Sequence, residues 1–177
     1  GAKRTLMEST RRLAERHEID AFTLTCAEHA FSDIRPFVGQ HRVYPFAALP
    51  LLKSPFGRLN QAVRCADLVR LGSLTRRIAR DIDAGGYDVV FVNPCQFEQG
   101  SSVLRHLRTP SVYYCQEPRR VLYETMPERP YDDRVSARRR ALNRLDPLPA
   151  MYQGMLRRAD RENTRRASSV LVNSRFM

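Results

Sequence analysis

The sequence has no tryptophan, only two lysines (Lys3 and Lys53) and no long apolar run. A membrane-spanning helix needs about 20 consecutive apolar residues, and no charged-then-apolar signal segment opens the chain, so a transmembrane or secreted protein is not expected. The four cysteines show no C-x-x-C spacing, and 177 residues can form a core without disulfides. These features predict a cytoplasmic protein with reduced thiols and with neither a metal nor a cofactor.

Negative charge is also scarce, because the formal net charge is +11 at pH 7 and nearly all of the positive charge is arginine. Between Arg134 and Arg166, ten arginines stand against three acidic residues. This excess predicts an anionic partner, which would be nucleic acid, an acidic membrane surface or a phosphate-bearing substrate. Arginine suits bidentate contact with phosphate or carboxylate, but it is also abundant in some proteomes, and both explanations stay open.

In the first half of the chain, apolar spacing predicts two helices and two extended segments. Residues 2–17 have one apolar stripe opposite arginines and glutamates, which indicates an amphipathic helix. Residues 19–25 are typical of a strand, and residues 41–46 of a short extended segment. A long helix follows, with apolar residues recurring from Leu59 to Ile82, and Gly85–Gly86 ends it.

The second half alternates between strands and helices. Residues 87–94 contain the unbroken run Val89 to Val92, which is expected where helices cover both faces of a parallel strand. The pattern then predicts a helix over 98–108, a strand over 111–116, a loop over 117–133, a basic helical region split by Pro147 and Pro149, and a strand over 168–174. The predicted fold class is therefore α/β, with a Rossmann-like parallel sheet and helices on both faces, in one domain over residues 1–174.

The two ends of the sequence lead us to expect an interior piece of a longer chain. Gly1 stands at the mouth of a helix with no strand before it, whereas a doubly wound sheet normally opens with a strand. Residues 175–177 would begin the connection to a further domain. A missing first strand would leave a gap or an unpaired edge in the sheet, and pairing between copies, as a homodimer, is one expected consequence.

Polar residues follow three of the predicted strands, where parallel sheets bind their ligands. The segments are Thr25–Cys26–Ala27, residues 93–100 and residues 115–120. The last two gather amides, a carboxylate and guanidiniums at one edge: Asn93, Gln96, Gln99, Gln116, Glu117, Arg119 and Arg120. Such a set suits a ligand with many hydroxyls, with or without phosphate. The alternative is that these are ordinary solvated loops.

Three stretches of the sequence resemble the nucleotide-sugar glycosyltransferases of family 4 (group 1), which have the GT-B architecture. "YYCQEPRRVLYE" (113–124) resembles their Y-x-C-H-x-P-x-R segment, which is followed by an aromatic residue and an acid. "GAKRTLMESTRRLAERHEID" is similar to the helix after their Gly-Gly-Ala turn, and "LRRADRENTRRASSVLVNSRFM" to the end of their N-terminal domain. The resemblance implies the N-terminal, acceptor-side domain of such an enzyme.

The resemblance assigns roles residue by residue. Pro118, Arg120, Tyr123 and Glu124 match the first segment, and Asp160, Asn173 and Ser174 match the closing one. Gly1 and Ala2 match the glycine turn, whose free N–H groups would face phosphate or acceptor. The acceptor-binding residues it implies, together with those of the polar edge, are Gly1, Ala2, Asn93, Gln96, Gln116, Arg120, Tyr123, Asn173 and Ser174.

One position departs from the family's pattern, because Gln116 stands where many relatives carry histidine. Glutamine cannot accept a proton as a general base, so Glu117 next to it is the candidate catalytic residue; otherwise the segment only binds. Glu124 and Asp160 have a second interpretation as helix caps or ion-pair partners.

The position of the donor site in this family predicts which activity the chain can have. Relatives hold the nucleotide-sugar donor mostly with a C-terminal domain that is absent here, so we expect acceptor binding, of a saccharide or a lipid-linked sugar, without transfer by this chain alone. The family implies retention of the anomeric configuration. Arg134, Arg138–Arg140 and Arg144 would hold the enzyme at the inner face of an anionic membrane, or they form a solvated helix face.

Two functions of another class compete with this interpretation. One is a basic Rossmann-like module that binds nucleic acid or another anionic ligand without catalysis, and the other is a non-catalytic domain for a small ligand. No nucleic-acid partner is expected, because the sequence has no helix-turn-helix, RRM or zinc pattern, and no aromatic residues are interleaved with the basic run.

Overall fold

The computed structural model describes residues 2–30, 32–124 and 145–173, with only the backbone of Ala2. These residues belong to two compact units, Gly1–Ala48 and Leu49–Met177. Gly1, Ser174 and residues 175–177 lie outside the described residues, as do residues 125–144, which include part of the predicted loop and the first part of the predicted basic region.

The N-terminal unit is a helix followed by two parallel strands. Helix α1 spans Ala2–Leu13, strand β1 spans Ala21–Leu24 and strand β2 spans His41–Tyr44, with a 3-10 turn at Arg35–Phe37 between the strands. Ala21 pairs with His41 and Leu24 with Tyr44. After β1, the Thr25 hydroxyl bonds the backbone N–H and C=O of Phe46, both at 3.0 Å, which fixes the chain where the two strands end.

The C-terminal unit contains a parallel sheet of three strands in the order β3-β4-β5. The strands are β3 Val90–Val92, β4 Ser111–Cys115 and β5 Ser169–Val172. The helices are α2 Asn60–Asp83, α3 Arg120–Tyr123 and α4 Leu148–Arg166, with 3-10 turns at Phe56–Leu59 and Ser102–Arg105. The α/β class with parallel strands is thus confirmed. Among the described residues the strands form two sheets, whereas the sequence led us to expect one.

The core of this unit forms where α2, the Ser102–Arg105 turn and α4 pack on one another. Its most completely buried apolar side chains are Leu71, Ala79, Leu104, Tyr113 and Leu156. At the end of α2, the Asp83 carboxylate accepts from the N–H groups of Arg108 and Thr109 at 3.0–3.1 Å. These bonds fix the turn that leads into β4, because two backbone donors there have no partner in a ladder.

The two faces of this sheet differ in burial. Val92, Ser111 and Tyr113 lie on the buried face, whereas Phe91 on the other face is 37% exposed and all of β5 is exposed. The run Val89–Val92 therefore does not have both faces equally covered. Phe91 is apolar for another reason: its ring stacks on Tyr114 of the neighbouring strand, with centroids 6.1 Å apart, which is a stabilising cross-strand pair.

The predicted helix over 98–108 is wrong except for the 3-10 turn at Ser102–Arg105. Gln99 has φ +66°, in the left-handed region, which interrupts a right-handed helix. The buried Glu98 carboxylate accepts from the Ser102 N–H and the Ser102 hydroxyl, so the helical turn begins only after it. By contrast, the basic helical region is interrupted at its prolines as predicted, since Leu145 is helical and α4 begins only at Leu148. Pro149 lies in the first turn of α4, where its missing N–H has no intrahelical partner to lose.

Within the described ranges, none of the helices is both long and apolar enough to cross a bilayer.

We predict that replacing Glu98 with glutamine stabilises the protein increasingly as pH rises above the ordinary glutamate pKa of about 4.3. Burial raises the pKa of Glu98, and the hydrogen bonds from Ser102 and the charge of Arg105 offset this only partly. A carboxyl whose folded pKa is raised contributes stability below its unfolded pKa and loses it as pH rises through the folded pKa. The Glu98→Gln variant lacks this loss, and urea unfolding midpoints at several pH values would measure it.

Glu162→Gln is the matched control with the opposite sign. The hydrogen bond from Arg158 lowers the pKa of Glu162 most. Burial opposes it, and the hydrogen bond from Arg105 and the charges of both arginines lower the pKa further. Its contribution is present above the unfolded pKa and is lost as pH falls, so this variant should be destabilised at neutral pH and converge on the native protein in acid. Parallel pH profiles for the two variants would contradict the assignment.

Candidate functional site

The candidate site lies at the carboxyl edge of the three-stranded sheet, where β3, β4 and β5 all end. Because these strands are parallel, Asn93 after β3, Gln116 after β4 and Asn173 after β5 all leave the sheet at the same edge. Ligands of open parallel sheets bind at this edge. The sequence-based grouping of these residues therefore has the backbone geometry it requires.

A tight turn shapes the segment after β3. Cys95 and Gln99 exchange two backbone hydrogen bonds, N–H of Cys95 to C=O of Gln99 at 2.6 Å and the reverse at 2.8 Å. The left-handed backbone of Gln99 closes this turn. A non-glycine residue in that conformation is held there by its surroundings, so Gln96 and Phe97 are presented at the tip of a fixed loop.

Two side chains connect this turn to the segment after β4. Arg119 donates from Nη1 to the carbonyl oxygen of Phe97 at 2.9 Å, and the Gln99 amide donates to the carbonyl oxygen of Glu117. The loops after the two strands thus form one connected surface. Its shape depends on Arg119, because a guanidinium bond to a carbonyl is stronger than a neutral one.

Glu117 and Arg120 lie together on the surface. Arg120 Nε is 2.9 Å from Glu117 Oε1, and the two side chains are 66% and 61% exposed. The candidate base is accessible, and its partner is the arginine that the family resemblance placed among the acceptor-binding residues. Arg120 therefore interacts with Glu117 rather than with a buried group.

Tyr123 and Asp160 pair across α3 and α4. The Tyr123 hydroxyl donates to Asp160 Oδ2 at 2.6 Å. Partial burial, followed by the hydrogen bond to Asp160 and its charge, raises the pKa of Tyr123 to about 12. Arg157 Nε also donates to the Leu122 carbonyl at 2.8 Å, so these residues attach the four-residue helix α3 to α4.

Asn173 joins the ends of β4 and β5. Its Oδ1 accepts from the Tyr114 hydroxyl at 2.6 Å, and its Nδ2 donates to the Gln116 carbonyl at 2.8 Å. Both functional groups of the amide make a bond within the chain, so Asn173 positions the Gln116 backbone.

Two other amides at this edge have unused hydrogen-bonding capacity. Asn93 Oδ1 is buried and has no hydrogen-bond partner within the described parts of the chain. The half-buried Gln116 side chain also has no partner among them. Buried polar atoms normally find a partner, so these amides are available to a ligand with donors and acceptors such as hydroxyls.

A cavity of about 280 Å³ lies beside the connected loops. It is formed by α2, the turn after β3, the segment after β4 and the start of α4, and its lining residues are Arg64, Asp67, Leu68, Gln96, Phe97, Arg119 and Tyr152. A larger concavity in the N-terminal unit is lined only by residues within 11–17, at the C-terminal end of α1 and just after it. Because consecutive exposed residues form it, it is an open surface without converging groups from separate elements.

Sequence reasoning identified Gln96 and placed Arg119 on the edge, but it missed Arg64 and Tyr152. Arg64 lies in the first turns of α2 among several other arginines, and Tyr152 follows an uninformative Pro-rich stretch. No local pattern distinguishes either residue from a surface residue.

The remaining expected residues lie elsewhere. Gly1 and Ser174 are outside the described residues, and the side chain of Ala2, at the start of α1, is not described. Thr25, Cys26 and Ala27 belong to the N-terminal unit. In the portion of the chain that the structure describes, no three histidine, cysteine or acidic side chains form a metal-binding group.

No protein-family model, curated protein or solved structure matches the chain. The likeness to glycosyltransferases therefore depends on the three stretches of sequence alone.

We predict that Tyr123 and Asp160 are energetically coupled. Tyr123→Phe should lower the free energy of unfolding by about 0.5–1.5 kcal/mol, the usual net value of a hydrogen bond. Adding Asp160→Asn to that variant should cost little more, because the bond is already lost. A double-mutant cycle in urea measures the coupling.

Tyr152→Phe is the control, since the Tyr152 hydroxyl has no partner among the described residues. Its effect should stay within about 0.5 kcal/mol. Additive effects of the Tyr123 and Asp160 substitutions would show that the pair does not attach α3 to α4.

Proposed function

We propose that this chain forms the acceptor-side domain of a GT-B nucleotide-sugar glycosyltransferase of family 4. Such an enzyme moves a sugar from a nucleotide-sugar to a saccharide or lipid-linked acceptor, with retention of configuration. Three sequence stretches in the order of that family support the proposal, and so does an α/β unit whose parallel strands carry polar loops at one edge.

The observation that carries the proposal is the pair of unused amides at that edge. Asn93 and Gln116 follow adjacent parallel strands, and neither the Asn93 oxygen nor the Gln116 side chain has a partner within the described ranges. An amide donates and accepts at once, which matches a sugar hydroxyl that does the same. Gln96 is among the residues that line the neighbouring cavity.

The other implied residues have different roles in this proposal. Tyr123 and Asn173 position the site, since Tyr123 bonds Asp160 and Asn173 bonds Tyr114 and the Gln116 carbonyl. Glu117 is the accessible carboxylate that would accept the acceptor's proton, and Arg120 holds it at 2.9 Å. A base must lie within about 3 Å of the hydroxyl it deprotonates, so this role requires an acceptor bound directly over Glu117.

Transfer needs more than these groups supply. A nucleoside diphosphate leaving group requires cations and hydrogen-bond donors aimed at its developing charge, and relatives place them on a second domain. We therefore propose that this chain binds acceptor and transfers no sugar by itself. The basic residues 134–144, which would serve an anionic membrane surface, lie outside the described residues.

The experiment is an NMR titration of the 177-residue chain with neutral oligosaccharides and, separately, with a random DNA duplex. We expect saccharides to shift backbone amides near Asn93, Gln96 and Gln116. Gln116→Ala should weaken this binding about two- to tenfold, as expected for the loss of one neutral hydrogen bond. Gln40→Ala, an exposed glutamine of the N-terminal unit, is the matched control and should leave it unchanged.

Binding of DNA with a steep salt dependence, and no saccharide binding, would instead favour the basic module without catalysis. Equal effects of the Gln116 and Gln40 substitutions would show that saccharide binds elsewhere. Sugar transfer by the chain alone would contradict the assignment of the donor to a second domain.

A further inference from the structure

The lining of the cavity beside the connected loops includes two arginines from separate elements. Arg64 comes from α2 and Arg119 from the segment after β4. Arg119 uses one of its five N–H donors on the Phe97 carbonyl, so its other donors remain available. Arg64 is half-buried and has neither a hydrogen-bond nor an ion-pair partner in the described ranges.

The one carboxylate that lines the cavity does not neutralise these arginines. Asp67 is 3% exposed, and its oxygens accept from the Leu49 N–H at 3.0 and 3.2 Å and from Arg70 at 3.0 Å. Its charge is therefore balanced by Arg70, which is not among the lining residues. The charge left in the cavity is positive, and an anion there would gain charge-assisted hydrogen bonds.

Neutral groups in the same cavity suit the rest of an organic ligand. The Tyr152 hydroxyl can donate to an oxygen, while Phe97 and Leu68 supply apolar surface. A volume of about 280 Å³ is at the lower end of the usual range for ligand pockets. The space therefore suits one head group and excludes a long polyanion.

We infer that this cavity binds a phosphate monoester carried by a sugar or polyol, with Arg64 and Arg119 as its two cations. Two guanidiniums match the double charge and three terminal oxygens of a phosphate monoester better than the single charge of a carboxylate. The inference deepens the proposed function and rests on it in one respect, because it makes the acceptor a phosphorylated one.

Isothermal titration of the chain with inorganic phosphate, a hexose 1-phosphate and the unphosphorylated hexose tests the inference. The hexose phosphate should bind more tightly than either of the other two. Arg64→Ala should weaken its binding about ten- to a hundredfold, as expected for charge-assisted bonds to a doubly charged group. Arg64→Lys keeps the charge but loses the planar guanidinium that makes bidentate bonds. This variant should bind the hexose phosphate with intermediate affinity.

Arg77→Ala is the matched control. Arg77 is an exposed arginine of the same helix, thirteen residues after Arg64 and so about 140° away around the helix axis. Arg77→Ala removes the same charge as Arg64→Ala. The affinity for hexose phosphate should change less than about twofold, because salt screens the charge of a distant, exposed side chain. Equal losses for the Arg64 and Arg77 variants would overturn the site, as would hexose phosphate binding no tighter than hexose; far-ultraviolet circular dichroism confirms that each variant is folded.

A further experiment distinguishes two sources of the phosphate monoester, a soluble sugar phosphate and a lipid head group. Vesicles of phosphatidylcholine with about one-fifth phosphatidic acid, compared with the same vesicles lacking it, present the phosphate monoester at a membrane surface. Competition between these vesicles and hexose 1-phosphate, lost in Arg64→Ala, would support the site and assign it a lipid head group; competition unaffected by Arg64→Ala would overturn it.

Failure of this inference and failure of the proposed function have different signatures. Neutral saccharides that bind with full affinity to Arg64→Ala, together with no response to hexose phosphate, would leave the acceptor-side domain intact and overturn the phosphate site. Binding of inorganic phosphate that depends on Arg64 but gains nothing from an attached sugar would keep the anion site and remove the saccharide from the proposal.

Discussion

The connection between the loops after β3 and β4 is the constraint on which the candidate site depends. Parallel pairing brings both loops to one edge of the sheet, but pairing alone leaves their tips free. The bond from Arg119 to the Phe97 carbonyl, together with that from Gln99 to the Glu117 carbonyl, joins them. Because the same arginine also lines the cavity, the group that fixes the shape of the site is one that a ligand would contact.

Burial and charge divide the polar residues of this edge into two sets. Tyr123 and Asn173 use hydrogen bonds to attach segments to one another. Asn93 and Arg64 have capacity that the described residues do not use. An unmet buried acceptor or half-buried cation destabilises the unliganded protein, and a ligand that satisfies them recovers this cost on binding.

The sequence was most informative where apolar residues recur at one regular spacing through a long segment. The apolar spacing from Leu59 to Ile82 predicted α2 almost to the residue, and the strands β3 to β5 followed from short β-branched runs. It failed over 98–108, because the left-handed Gln99 and the buried Glu98 leave no periodic signal. Arg64 and Tyr152 are brought into one cavity only by helix packing, which local patterns do not contain.

The most direct test of the central claim, that this edge holds one ligand site built on two arginines, is nitrogen-15 NMR of the arginine Nε–H groups during addition of hexose 1-phosphate. We predict saturable shifts at Arg64 and Arg119, with backbone shifts at Gln96 and Phe97. Shifts spread over the arginines of α1 and α4, with Arg64 and Arg119 unchanged, would contradict it, because they would indicate unspecific attraction to a basic surface.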